Sequence, residues 1–201
     1  MGAKRRKLEE ELFEKISTSF IERLARRGVK PLTITFSAFA AALVSSVFYY
    51  LAAGSELYYF SAAILLAVSG FLDAIDGAVA RRLGMTSRLG AFLDSVFDKL
   101  GEAAIYVAIT VSGAVSVFWG SLALVSSLMV SYVRHRAEPF RISLKGVGFM
   151  ERAERVILII IASILTPFIR PALEVAMILI SIFAFLTVIW RILYIVQVLK
   201  R

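Results

Sequence analysis

The chain has 201 residues, 59% of them hydrophobic, with no cysteine and a formal net charge of +8. Ordinary soluble domains are about 45–50% apolar, so this composition does not fit one, and the lack of cysteine excludes disulfides, thiolate metal sites and cysteine nucleophiles. The mean hydropathy is +0.81 and the apolar excess falls in long blocks, which predicts an all-α integral membrane protein.

Residues 1–30 carry nine Lys/Arg, including Lys4, Arg5, Arg6 and Lys7. Leu8, Leu12, Phe13, Ile16, Phe20, Ile21 and Leu24 recur in steps of three and four, the stripe of an amphipathic helix. A basic helix of this kind is expected to lie in the headgroup plane on the cytoplasmic face. The segment is charged throughout, so no cleavable signal peptide is expected. Gly28 and Pro31 end the helix.

Six apolar blocks follow, at 33–53, 57–80, 91–111, 115–133, 156–169 and 172–199. They predict six transmembrane helices forming one membrane domain over 31–201, preceded by the interfacial helix of 1–30. Glu151 to Arg155 could extend the short fifth block. Pro167 and Pro171 mark the break between the last two blocks. The expected outer turns, 54–56, 112–114 and 166–171, contain only Arg170 among their Lys/Arg. The positive-inside rule therefore places both termini on the cytoplasmic side of a multi-pass cell-membrane protein. The positive charge belongs to that membrane face, and no nucleic-acid partner is expected.

Asp73, Asp76, Asp94 and Asp98 interrupt the second and third blocks. An ionisable residue inside a membrane helix costs about 2.5–3.5 kcal/mol on insertion scales. Spacings of three and four place each pair on one helix face, and a short connection makes the two helices neighbours. At 1.5 Å per residue Asp98 lies about 12 Å along its helix from Gly90, which predicts a site near the cytoplasmic face. Converging carboxylates need counter-charge. Hard oxygen donors suit Mg2+ or Mn2+. Gly77 and Ala80 leave room for a ligand, and Arg81 is placed to pair with a phosphate. Metal, phosphate and membrane together suggest phosphoryl transfer on a lipid.

Asp73 to Asp98 fits D-x2-D-G-x2-A-R-x8-G-x3-D-x3-D without exception. This resembles the signature of the CDP-alcohol phosphotransferase family. The resemblance implies a CDP-linked donor, an alcohol acceptor and release of CMP. It implies metal ligation by Asp73, Asp76 and Asp94, often around two ions. It also implies that Asp98 is the general base and a further contact to the metal. Gly77, Arg81 and Ser87 match positions that hold the cytidine nucleotide, together with Asp73. Pro31 and Thr35 resemble the family's Pro-Asn/Asp-x-x-Thr motif, from which Leu32 departs. Homodimers are common in the family.

Arg134, Arg152 and Arg191 lie in or beside membrane segments, and an embedded arginine needs an anion or water. Their convergence suggests an acceptor that carries its own phosphate. Ser-Tyr-x-x-x-Arg-Ala-Glu from Ser131, and Glu-Arg-x-Glu-Arg from Glu151, resemble the subfamily that transfers to inositol phosphate. That resemblance implies that Ser131, Arg134, Arg152 and Arg191 bind the inositol phosphate. Relatives often carry Lys at the position of Arg134. The expected product is phosphatidyl- or archaetidylinositol phosphate, with lipid tails entering between helices. Glycerol phosphate as acceptor, or CDP-inositol with inositol phosphate, would use the same aspartates. A divalent-cation transporter is the alternative of another class, although such sites usually lie at the midplane between repeats. Glu102, one turn beyond Asp98, is read as a helix contact rather than a catalytic acid.

Overall fold

The computed structural model describes residues 18, 21–24, 26–144 and 146–200. Those residues are helical, without strands. Six long helices run α1 (Pro31–Leu51), α2 (Leu57–Arg82), α3 (Arg88–Val111), α4 (Val117–Ala137), α5 (Arg152–Leu165) and α6 (Ala172–Leu199). Short 3-10 turns follow α1 at Ala52–Gly54 and α4 at Glu138–Phe140.

The helix starts have local causes. Pro31 opens α1, where its missing N–H costs nothing. Ser87 caps α3 by accepting from the Gly90 N–H at 3.0 Å. Glu151 and Glu154 form a capping box at the start of α5. The fifth block was expected to reach 169, but α5 ends at Leu165, because Pro167 has no N–H to continue the helical hydrogen bonds.

Among the described residues four helices are long and apolar enough to cross a membrane: α1, α2, α4 and α6. Two of the six blocks fall outside that set. With 14 residues at 1.5 Å each, α5 is shorter than the roughly 30 Å hydrocarbon core. The first half of α3 carries Arg88, Asp94, Asp98 and Lys99. Most of the expected N-terminal amphipathic helix lies outside the described residues. Within them Ile21 is buried against Ile34, Ile75 and Val79, and Glu22 pairs with Arg82 at 2.8 Å.

Small residues let the helices approach. Ser45 Oγ donates to the Ala62 carbonyl and Ser69 Oγ to the Ala38 carbonyl, each at 2.8 Å, joining α1 to α2. A Cβ on Gly101 would lie 3.0 Å from Ala42 Cβ, so α3 needs glycine where it meets α1. Tyr49 and Ser163 share a 2.7 Å hydroxyl bond between α1 and α5. Apolar burial adds little between helices in lipid, so close packing and such bonds carry the association. Large apolar side chains such as Val117, Phe118 and Phe168 face outward.

Candidate active site

Three of the four aspartates meet between α2 and α3. Asp73, Asp94 and Asp98 each offer an oxygen atom within 4.8 Å of the others. Three carboxylates at that spacing are a hard-oxygen donor set that fits a divalent cation. Asp76 turns toward α1, where it is buried and accepts from Thr35 Oγ1 at 2.7 Å.

Arg152, the first residue of α5, reaches into this cluster. Its Nη1 donates to Asp73 Oδ2 at 2.5 Å, and its Nη2 pairs with Asp98 Oδ1 at 2.7 Å. The guanidinium thus supplies counter-charge to two of the carboxylates. Its Nε is buried without a hydrogen-bond partner among the described residues.

Two cavities flank the aspartates. The outer cleft, about 980 Å3 with its open mouth, is lined by Pro31, Thr35, Asp76, Gly77, Arg81, Ser87 and Asp94, among others. Pro31, Thr35, Gly77, Arg81 and Ser87, read from sequence as one nucleotide set, therefore share one wall-lined space. Asp73 faces the other cavity. A Cβ on Gly77 would come 3.3 Å from Arg81 Nη1, so glycine leaves the guanidinium room. Gly90, the glycine that follows the eight-residue spacer of the motif, also lines the cleft, as does Thr86, which no motif marked. The inner cavity lies between α1, α2, α3 and α5 and includes Asp73, Asp94, Asp98, Glu102, Arg152 and Arg155.

The remaining acceptor candidates stand apart from these linings. Arg134 is exposed on the last turn of α4. Ser131 is half-buried one turn earlier, and its carbonyl contacts His135 Nδ1 at 2.9 Å. His135 Nε2 lies 3.5 Å from Ser95 Oγ, beside Asp94, so this end of α4 adjoins the site. Arg191 is 2% exposed. It donates to the carbonyls of Val147 and Val130, both at 2.8 Å, and pairs with Glu151 at 3.4 Å. Its guanidinium therefore binds the connection that leads into Arg152.

Sequence reasoning did not single out Arg155. Its guanidinium makes two bonds to Glu102 Oε1, from Nε at 2.8 Å and Nη2 at 2.6 Å. Lys99 reaches the other oxygen of Glu102 at 3.1 Å. The spacing of Arg155 after Arg152 was a visible signal, because i, i+3 residues share a helix face.

The comparisons with known proteins agree with this geometry. The family model for CDP-alcohol phosphatidyltransferases matches residues 30–196. The archaetidylinositol phosphate synthase of Methanothermobacter thermautotrophicus is 41% identical over 190 residues, covering 94% of each chain. That of Pyrococcus horikoshii is 38% identical, covering 84% of this chain and 85% of its own. The crystal structure of Mycobacterium tuberculosis phosphatidylinositol phosphate synthase with CDP-DAG bound superposes with a TM-score of 0.78 at 27% identity. The match covers 90% of this chain and 94% of that one. The same enzyme in complex with manganese and citrate gives 0.78 at 26% identity, covering 90% and 89%. The chain belongs to the CDP-alcohol phosphatidyltransferase family.

Proposed function

We propose that this protein transfers the phosphatidyl-type group of a CDP-linked lipid to inositol phosphate and releases CMP. One observation carries the reading of the reaction: Asp94 belongs both to the carboxylate cluster and to the wall of the outer cleft. A donor whose cytidine end occupies that cleft would bring its diphosphate to the carboxylates. The acceptor assignment is supported by the relatives that are archaetidylinositol phosphate synthases.

Asp73, Asp94 and Asp98 would hold a divalent cation, with Asp76 beside them. Mg2+ or Mn2+ suits these donors, and two ions are the number that the family resemblance implies. When bound, such a cation neutralises the donor diphosphate and the charge that grows on CMP. Thr35 keeps Asp76 turned toward the cleft, and Arg81 with Gly77 and Ser87 receives the nucleotide. Pro31 fixes the start of α1 beside them. Asp98 takes the proton of the acceptor hydroxyl as its oxygen bonds to the β-phosphorus and the bond to CMP breaks.

Arg152 is the acceptor's first phosphate contact in this reading. A buried donor without a partner costs about 1–3 kcal/mol, so its Nε favours a pose that a phosphate oxygen would complete. Ser131 and Arg134 extend the acceptor site from α4, and Arg191 adds fixed positive charge behind them. The match over 30–196 supports one membrane catalytic unit over 31–201. The lysine and arginine distribution supports a cytoplasmic site with both termini on that side. A homodimer is the assembly that the resemblance implies.

The test is CMP release by the purified protein in nanodiscs with CDP-archaeol or CDP-diacylglycerol. Inositol phosphate, glycerol phosphate, serine and free inositol are offered in parallel. Inositol phosphate should give the highest kcat/KM. Preference for serine or free inositol would overturn the phosphate-bearing acceptor.

A further inference from the structure

Two arginine–carboxylate contacts are stacked between α3 and α5. The upper contact joins Arg152 to Asp98. The lower joins Arg155 to Glu102. Arg152 and Arg155 are three residues apart on α5, while Asp98 and Glu102 are four apart on α3. Both spacings return to the same helix face after one turn, so the pairs form successive rungs.

The rungs differ in burial. Arg155 is 1% exposed and Glu102 7%. Arg155 also contacts the Met150 carbonyl at 3.4 Å, just before α5, and Lys99 holds the second oxygen of Glu102. Burying two ions costs several kcal/mol each before their attraction is counted. Apolar side chains could join these helices more cheaply. They would also permit rotation and sliding, whereas a guanidinium with two bonds to one carboxylate fixes direction as well as distance.

We propose that Glu102 and Arg155 are positioning residues whose pair sets the rotation and height of α5 against α3. Arg152 is thereby aimed at Asp98 and at the acceptor's phosphate. The proposal rests on the acceptor reading above. It confines the effect to one substrate. The donor cleft is walled by residues of α1, α2, α3 and their connections, and the cation carboxylates stand on α2 and α3. Neither needs α5.

The test compares wild type, Arg155→Lys and the double variant Glu102→Gln/Arg155→Met in nanodiscs. Replacing a whole buried pair is tolerated far better than removing one partner, so the double variant should melt near wild type. Its KM for the acceptor should rise about tenfold, equivalent to about 1.4 kcal/mol. Its KM for the CDP-lipid should stay within about twofold on that same scale, and its Mn2+ affinity, followed by electron paramagnetic resonance, should be unchanged or tighter. Arg155→Lys keeps the charge without the fork and should fall between the two. A folded double variant with wild-type acceptor KM would overturn the proposal. So would an equal loss across acceptor, donor and Mn2+ in Arg155→Lys, the arm that decides if the double variant does not fold. If the wild type prefers another acceptor, the inositol phosphate reading alone fails, and the variants are scored on that acceptor.

Discussion

Arg152 and Asp98 face each other across the gap between α5 and α3 at 2.7 Å. The same guanidinium reaches Asp73 on α2, so one cation ties three helices at the proposed reaction centre. A metal held by Asp73 and Asp98 would compete with it for the same oxygens. Arg152→Met should therefore leave Mn2+ binding intact or tighter while weakening the acceptor. Charge-assisted hydrogen bonds contribute about 1.5–3 kcal/mol, so the acceptor KM should rise about ten- to hundredfold. Mn2+ titration followed by electron paramagnetic resonance, beside steady-state kinetics, separates the two effects. Weaker Mn2+ binding in this variant would contradict the competition.

Asp94 and Asp98 should fail in different ways. Asp94 lies in both the carboxylate cluster and the cleft, so Asp94→Asn should lower Mn2+ affinity and donor binding together. Asp98→Asn should lower kcat by about 10²–10⁴, the range of general-base catalysis. A chelator should abolish CMP release, and added Mn2+ or Mg2+ should restore it. Wild-type kcat in Asp98→Asn would remove the base assignment.

These residues show what the sequence could and could not carry. Asp73, Asp76, Asp94 and Asp98 were legible because three- and four-residue spacing in apolar helices already fixes a shared face. The contact of Arg152 with Asp73 spans 79 positions, and no local spacing reports which arginine crosses that distance. Arg191 was legible as a buried charge needing partners. Those it finds, the Val130 and Val147 carbonyls and Glu151, are mostly backbone atoms that leave no mark in sequence. Helix existence followed from hydropathy. The six expected crossings rested on the same hydropathy; by length and composition the described residues mark four, because α5 is short and α3 carries the charges of the site.

Thr35 should matter through Asp76. The 2.7 Å bond is buried and crosses from α1 to α2. Thr35→Val keeps the shape and removes the donor, at a cost of about 1–3 kcal/mol for the unsatisfied carboxylate. The donor KM should rise about tenfold or more, by the usual conversion, with little change for the acceptor. Thr35→Ser should recover most of the loss. Equal donor KM in Thr35→Val and wild type would show that Asp76 is held by other means.

Gly148 tests how the acceptor side is braced. Its φ is +122°, and an added Cβ would lie 2.3 Å from Thr187 Cγ2. Thr187 Oγ1 accepts from the Phe149 and Met150 N–H groups at 3.0 and 3.2 Å and donates to the Phe183 carbonyl at 2.7 Å. One turn on, Arg191 holds Val147 and Val130. The connection into α5 is thus pinned against α6. Gly148→Ala should lift it, costing about 1–3 kcal/mol of stability through overpacking and further strain through the positive φ. Thr187→Ser in the same chain removes Cγ2 but keeps the hydroxyl. The double variant should recover part of the melting temperature and of the acceptor KM. The residual deficit would belong to the φ that only glycine adopts freely. A melting temperature unchanged by Thr187→Ser in the Gly148→Ala background would mean that the clash is not the source of the loss.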